Sequence, residues 1–227
     1  MFRSLVNLLF PMSCPGCGGP LLENENTICT RCRHDMPLTL QHLMPENEMY
    51  RRFYGRLPVE HASAMVYFHK KDIVQEAIHN LKYRGREEVG LMMGRWYGPD
   101  LKGVAALQTV DDVVPVPLHG KKLRERGYNQ VTKFGRAIAE ALGANYNETI
   151  LYRATYTKTQ TKKNLTARAE IIGSAFDVSF TEADNCKHFL LVDDVITTGA
   201  TLESCGKALL KIPGARLSIV TMAYAHS

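Results

Sequence analysis

The sequence predicts an α/β domain with a mostly parallel sheet flanked by helices, carrying a small four-cysteine module at its N-terminal end. Short apolar runs, which are typical of strands buried on both faces, alternate with segments of helical periodicity. Four of the six cysteines fall into two Cys-x-x-Cys pairs near the start of the chain. A chain of 227 residues with 45% apolar residues can bury a sizeable core, which excludes a disordered protein.

The cysteine pairs are Cys14 with Cys17 and Cys29 with Cys32. This spacing lets four thiolates surround one zinc ion, and so short a module has no core of its own, so the metal would supply most of its folding free energy. Two disulfides in a secreted protein are the alternative, which fits badly with the absence of a signal sequence. We predict a structural zinc ion held by these four cysteines.

The predicted organisation has three parts. Residues 1–36 form an N-terminal helix and the zinc knuckle, residues 37–58 have the proline-rich composition of a linker, and residues 59–227 form the main domain. Strands are predicted at 61–68, 112–117, 174–178, 188–192 and 216–224, and helices at 72–83, 87–97, 130–142 and 200–210. We expect Pro99 to end the second helix.

The segment after the strand at 188–192 carries the clearest chemistry. Asp193 and Asp194 follow the strand, and Thr197, Thr198, Gly199, Ala200 and Thr201 then open a helix. The carboxylates can accept hydrogen bonds from vicinal ribose hydroxyls, and the amides and hydroxyls of a helix N-terminus favour a phosphate. The alternative is ordinary helix capping, which explains neither the paired acids nor the three threonines. These residues therefore predict a phosphoribosyl site.

This segment resembles the binding motif of the type I phosphoribosyltransferases, in which two acids precede Thr-Thr-Gly-small-Thr. The resemblance implies the type I phosphoribosyltransferase fold and the binding of 5-phosphoribosyl 1-pyrophosphate with Mg²⁺. It also implies that Asp193 and Asp194 hold the ribose hydroxyls and that residues 197–201 hold the 5'-phosphate.

A strongly basic stretch follows the strand at 112–117, with Lys121, Lys122, Arg124 and Arg126 close together. In an α/β sheet this position lies at the ligand-binding edge, so these residues are candidates for binding the pyrophosphate. Two other interpretations stay open, namely a solvated helix start and a contact to a nucleic acid backbone.

Residues 153–172 form a long segment without clear periodicity, and loops of this length are usually functional or disordered. The resemblance implies a mobile loop that closes over the substrate. Cys186 and Cys205 have no neighbours that would activate a thiol, so we predict no reaction at either.

Several short motifs extend the resemblance to almost the whole chain. They are the four-cysteine knuckle, residues 81–86, 114–119, 123–130 and 159–168, and the phosphoribosyl motif, in that order. Together they resemble the ComF family, which includes ComFC and the GntX-like proteins. Each motif is weak alone, but their succession is specific.

The family resemblance implies that the protein binds phosphoribosyl pyrophosphate or a related ligand and acts on single-stranded DNA during natural transformation, with proteins of the DNA-uptake machinery as partners. Tyr83, Tyr128 and Tyr156 lie among the basic stretches and could stack on unpaired bases. The alternative is a catalytic phosphoribosyltransferase of nucleotide metabolism or salvage that uses the same ligand with Mg²⁺. The sequence indicates no base-recognition pocket and no general base, so no catalytic residue is assigned.

The net charge and the N-terminal segment bear on location. A formal charge of +5 permits phosphate-rich partners without requiring them. The apolar run at residues 5–10 is too short for a membrane span or a signal peptide. We therefore expect a cytoplasmic protein without an integral membrane segment.

Overall fold

We describe the protein with a computed structural model that covers residues 12–154 and 175–225. The predicted N-terminal helix, Tyr156 and nearly all of the predicted long loop lie outside these residues. Within the described ranges, no helix has the length and apolar character needed to cross a membrane.

The centre of the fold is a parallel sheet of five strands. The strands in chain order are β1 (His61–Phe68), β2 (Asp112–Pro115), β3 (Asn145–Tyr146), β4 (Leu151–Arg153), β5 (Phe176–Val178), β6 (His188–Ile196) and β7 (Arg216–Ala225). The sheet has the order β1-β7-β6-β2-β3, and each neighbouring pair in it is parallel. Strands β4 and β5 form a separate antiparallel pair. The predicted mostly parallel sheet is confirmed.

Helices cover both faces of this sheet. They are α1 (Thr30–His34), α2 (Glu48–Arg51), α3 (Ile73–Tyr83), α4 (Glu88–Lys102), α5 (Gly120–Arg126), α6 (Thr132–Leu142) and α7 (Ala200–Leu209). Side chains of β6 alternate between two cores, with Leu190 and Val192 packed on the side of α3, α4 and α6, and Phe189 and Leu191 on the side of α7. Because both faces are covered, β6 is apolar without interruption from Phe189 until its acids.

The prediction that Pro99 ends a helix is wrong, because α4 continues to Lys102. Pro99 is exposed, and the preceding Gly98 has no Cβ to clash with the proline ring. Gly94 and Gly98 also let α4 approach α6 closely, since a Cβ at Gly98 would lie 2.6 Å from Ala141 Cβ. Helix α4 therefore accommodates Pro99 on the side that faces the solvent.

The predicted linker, residues 37–58, packs along the outer edge of the sheet. Leu38 forms an isolated antiparallel bridge with Val66 of the edge strand β1, and the Thr39 backbone N–H donates to Met65 O at 3.0 Å. Met49 and Phe53 are fully buried against the sheet. Residues 37–58 thus cover the outer edge of β1 and protect it from pairing with another chain.

Candidate functional site

The paired acids lie where β6 extends beyond the end of its neighbour β2. The predicted strand ended at Val192, whereas β6 continues to Ile196. Pairing with β2 stops at Val192, but pairing with β7 continues to the end of β6. The acids therefore belong to the strand itself, and their backbone is open on the side of β2.

Asp193 faces a small cavity on the side of α7. Its side chain is partly exposed, and it lines this cavity together with residues 195–202. The backbone N–H of Asp194 donates to Asp193 Oδ1 at 2.8 Å. Burial, and then the charge of Asp194, raise the pKa of Asp193 above its ordinary value.

Asp194 has a different environment, although it is adjacent in sequence. Only 6% of its surface is exposed. Lys82 Nζ donates to its Oδ1 at 2.9 Å, and Gln130 Nε2 donates to its Oδ2 at 2.7 Å. The two predicted ribose ligands are adjacent in sequence but have different partners, because successive residues of a strand point to opposite faces of the sheet.

The loop from Thr197 to Thr201 joins β6 to α7. Gly199 precedes the first residue of α7 with a φ of 79°, a conformation that glycine adopts without strain. All three threonines of the loop are exposed. The first-turn N–H groups of α7 have no acceptor within the helix, and that of Ala200 donates to Thr198 Oγ1 at 3.4 Å. Together with the helix dipole, they form a favourable place for an anion.

Two arginines from residues 37–58 hold the back of this loop. Arg52 donates to the carbonyl oxygen of Thr197 and, through Nε at 2.9 Å, to the hydroxyl of Tyr224. Arg56 Nη1 donates to Thr198 O at 3.2 Å, and its Nε donates to Glu203 at 2.8 Å. The two arginines thus anchor the carbonyl groups of Thr197 and Thr198.

The predicted basic cluster forms the short helix α5. Lys121, Lys122 and Arg124 are exposed on it. Arg126 is the member that reaches the acids, since its Nη1 donates to Gln130 Oε1 at 2.7 Å and Gln130 in turn binds Asp194. The guanidinium of Arg126 also lies over the ring of Tyr83, 5.0 Å from its centroid.

The four predicted zinc ligands come together as expected. The Sγ atoms of Cys14, Cys17, Cys29 and Cys32 all lie within 4.8 Å of one another, and those of Cys17 and Cys29 are 3.7 Å apart. A tetrahedron of sulfurs about 2.3 Å from a zinc ion has edges of about 3.8 Å, so the set fits this metal. Backbone N–H groups of Cys29 and Cys32 donate to thiolate positions Cys14 Sγ and Cys29 Sγ, each at 3.4 Å, which favours charged sulfur.

The zinc module packs directly on the main domain. Asn80 Nδ2 on α3 donates to Pro15 O at 2.8 Å, and Arg86 Nη2 donates to Ser13 O at 3.0 Å. The guanidinium of Arg33 lies 5.2 Å from the ring centroid of Trp96 on α4. The knuckle therefore shares a core with α3 and α4 rather than standing apart.

The two remaining cysteines differ in exposure. Cys205 is fully buried on α7, and burial raises the pKa of its thiol. Cys186 is exposed and lies in a loop. Neither belongs to the four-cysteine cluster.

Several residues of the site were missed by the sequence analysis. Lys82 and Gln130 lie in the short motifs at 81–86 and 123–130, but nothing in those motifs indicated a contact with Asp194. Arg52 and Arg56 have the four-residue spacing of one helical face, which was a usable signal. The composition of a linker concealed it.

Comparisons with known proteins agree with this architecture. A family model described as a double zinc ribbon domain matches residues 5–43. The DNA utilization protein YhgH of Salmonella typhimurium is 27% identical over 145 residues, which are 63% of this chain and 63% of that protein. The match therefore covers less than two thirds of the length of this relative.

Two further relatives align over more of the chain. Competence protein F of Haemophilus influenzae is 24% identical over 89% of this chain and 93% of its own length. Competence protein ComFC of Bacillus subtilis is 24% identical over 92% of this chain and 76% of its own length. The resemblance to the ComF family is confirmed by these relatives.

Solved phosphoribosyltransferase structures are also similar at low identity. Glutamine phosphoribosylpyrophosphate amidotransferase from Bacillus subtilis, complexed with ADP and GMP, has a TM-score of 0.40 and 18% identity over 62% of this chain and 30% of that one. A hypoxanthine phosphoribosyltransferase from Staphylococcus aureus has a TM-score of 0.34 and 20% identity over 60% of this chain and 62% of that one.

Proposed function

We propose that this relative of the competence proteins binds a phosphoribosyl ligand, such as 5-phosphoribosyl 1-pyrophosphate, at the end of β6 and acts in DNA uptake. The observation that carries the proposal is that Asp193 and residues 197–201 line the same cavity. A carboxyl group that can bind hydroxyls thus lies beside the amides of a helix N-terminus and the threonine hydroxyls, which can bind a phosphate.

The proposed contacts follow from this placement. Asp193 accepts hydrogen bonds from the ribose hydroxyls, and the loop of Thr197 to Thr201 binds the 5'-phosphate. The arginines behind the loop hold its carbonyl oxygens at Thr197 and Thr198, so the loop is arranged before the ligand arrives.

The pyrophosphate end of the ligand needs positive charge. Arg126 lies near the acids through Gln130, and Lys121, Lys122 and Arg124 are exposed on the same short helix. Mg²⁺ typically binds one or two carboxylates together with substrate phosphates, and Asp193 is the carboxyl group in the cavity that would release its proton to bind the ion. When bound, the ion would offset the charge of the pyrophosphate.

Single-stranded DNA is the second proposed ligand. The relatives are named for DNA utilization and competence. Tyr83 is 65% exposed and lies beneath Arg126, next to the basic residues of α5. An aromatic ring among cations can stack on an unpaired base while the cations contact phosphates.

Calorimetric titration tests both ligands separately. We expect phosphoribosyl pyrophosphate with Mg²⁺ to bind the wild-type protein and to bind Asp193→Ala at least about ten-fold more weakly, because one hydrogen-bonding carboxyl group is lost. Asp177→Ala, which removes a partly exposed acid that pairs with Lys211, is the matched control. Failure of the wild-type protein to bind the ligand would refute the phosphoribosyl site.

A short single-stranded oligonucleotide is the second titrant. Its affinity should fall steeply with salt, and Lys121→Gln with Lys122→Gln should reduce that slope. An affinity that does not depend on salt would refute the DNA proposal. Release of pyrophosphate in the presence of Mg²⁺ and a panel of bases would instead favour the catalytic phosphoribosyltransferase.

A further inference from the structure

The two acids of β6 do not have equal capacity for a ligand. Both oxygens of Asp194 already accept hydrogen bonds from protein donors, Lys82 at 2.9 Å and Gln130 at 2.7 Å. Asp194 is also almost entirely buried. Asp193, in contrast, lines the cavity beside the loop of Thr197 to Thr201. Its Oδ1 accepts from the Asp194 N–H at 2.8 Å, and no described residue donates to its Oδ2. The adjacent acids thus differ in whether they have an available oxygen, which is the property that matters for binding ribose.

The contacts of Asp194 continue into a ring of contacts that is closed by the backbone between Tyr83 and Lys82. Gln130 uses its Nε2 for Asp194 and its Oε1 for Arg126 Nη1, at 2.7 Å in both cases. Arg126 lies over the ring of Tyr83, and Tyr83 follows Lys82 at the end of α3. The ring therefore joins the ends of three elements, α3, α5 and β6.

The amide of Gln130 makes this ring directional. A carboxylate at position 194 fixes the NH₂ group of Gln130 toward β6, which leaves the amide oxygen to accept from Arg126. An amide at position 194 would present its own NH₂ group to Gln130, which would have to turn over and direct its donor at the guanidinium. The charge of Asp194 thus orients Arg126 through one intermediate side chain.

We infer that Asp194 is a positioning residue that fixes Arg126 and the end of α5 beside the ligand cavity, and that Asp193 is the acid of this pair that contacts the ligand. The second part of the inference rests on the proposed phosphoribosyl function. The first part concerns this ring of contacts alone.

A swap of chemical groups separates the two roles. Asp194→Asn alone breaks the ring and should weaken phosphoribosyl pyrophosphate binding by about ten-fold or more, since bonds to charged groups are lost. Adding Gln130→Glu returns a carboxylate to the ring, where it accepts from Arg126 and from the amide now at position 194. The net charge is then that of the wild-type protein, and we expect its affinity to return to within about three-fold, because the donors and acceptors match again. If the double variant folds and still binds as weakly as Asp194→Asn, the inference is overturned.

Amide hydrogen exchange over residues 120–131 gives a readout without ligand. Exchange should be faster in Asp194→Asn and return to the wild-type rate in the double variant, because the ring orders the end of α5. Asp193→Asn should leave this exchange unchanged but weaken the binding of phosphoribosyl pyrophosphate. If the wild-type protein binds no phosphoribosyl pyrophosphate, the proposed function fails, and exchange still decides the positioning role. Unchanged exchange in Asp194→Asn would overturn it.

Discussion

Phe53 offers a direct measure of how firmly residues 37–58 belong to the main domain. Its side chain is 0% exposed and packs in the core beside α7. A Cβ at Gly199 would lie 3.5 Å from Phe53 Cε1, so the ring lies directly beneath the loop of Thr197 to Thr201. Truncating a buried phenylalanine leaves a cavity and typically costs about 3–5 kcal/mol. For a domain of this size, that cost lowers the melting temperature by roughly 10 °C.

The assay is denaturant unfolding of Phe53→Ala beside Tyr54→Ala. Tyr54 is the neighbouring aromatic residue in the same segment but is 57% exposed, so its truncation should change the free energy of unfolding by only about 0.5 kcal/mol. If Phe53→Ala costs less than about 1 kcal/mol, the segment does not pack as described. Equal effects of the two variants would refute the same reasoning.

Three further predictions concern the loop, the acid and the metal. Arg52→Lys removes the planar guanidinium that donates to Thr197 O, the Tyr224 hydroxyl and Ala225 O. Calorimetry should show that this variant binds phosphoribosyl pyrophosphate about ten-fold more weakly than the wild-type protein. An affinity equal to that of the wild-type protein would contradict the role of the arginine. The pKa of Asp193 is raised in the folded state, so the folded protein keeps a proton on this carboxyl group at pH values where the unfolded chain has released it, from about pH 4 upward. Protonation of Asp193 therefore stabilises the fold at low pH, and this stabilisation is lost as the pH rises through the folded pKa. Thermal melts of Asp193→Asn should therefore show a stability advantage over the wild-type protein that grows with pH, and an advantage that shrinks with pH would contradict the raised pKa. Metal analysis should find about one zinc ion per chain. The Cys29→Ser variant should lose this zinc ion and melt at a lower temperature. A wild-type protein without zinc would contradict the site.

Local sequence patterns were sufficient for much of the fold. The strand at His61–Phe68 lies where its composition predicted, and α6 ends at Gly143, whose φ of 71° is the left-handed conformation that a glycine stop predicts. The four cysteines likewise needed only their spacing. Each of these features depends on residues close together in the chain, so a window of sequence contains the relevant physics.

Features that depend on distant residues were missed. Pro99 reads as a helix stop unless the solvent-facing position and the close packing of Gly94 and Gly98 on α6 are known. The pairing of Lys82 with Asp194 spans 112 residues of chain. Burial of Phe53 likewise requires α7, which follows it by nearly 150 residues. Composition and periodicity carry no information about such encounters, so the residues that surround the acids could not be assigned from sequence.

Helix α3 connects the two centres that the sequence analysis treated as separate. At its beginning, Ile73 contacts the knuckle closely, since a Cβ at Gly16 would lie 2.7 Å from Ile73 Cγ2. Asn80 binds the knuckle carbonyl of Pro15, and two residues later Lys82 binds Asp194. A helix is stiff over this length, so a displacement of the knuckle must move Lys82 unless α3 frays at its end. The four cysteines are therefore connected through α3 to the acid pair, and we expect loss of zinc to disturb the geometry of these acids as well as the fold of the knuckle.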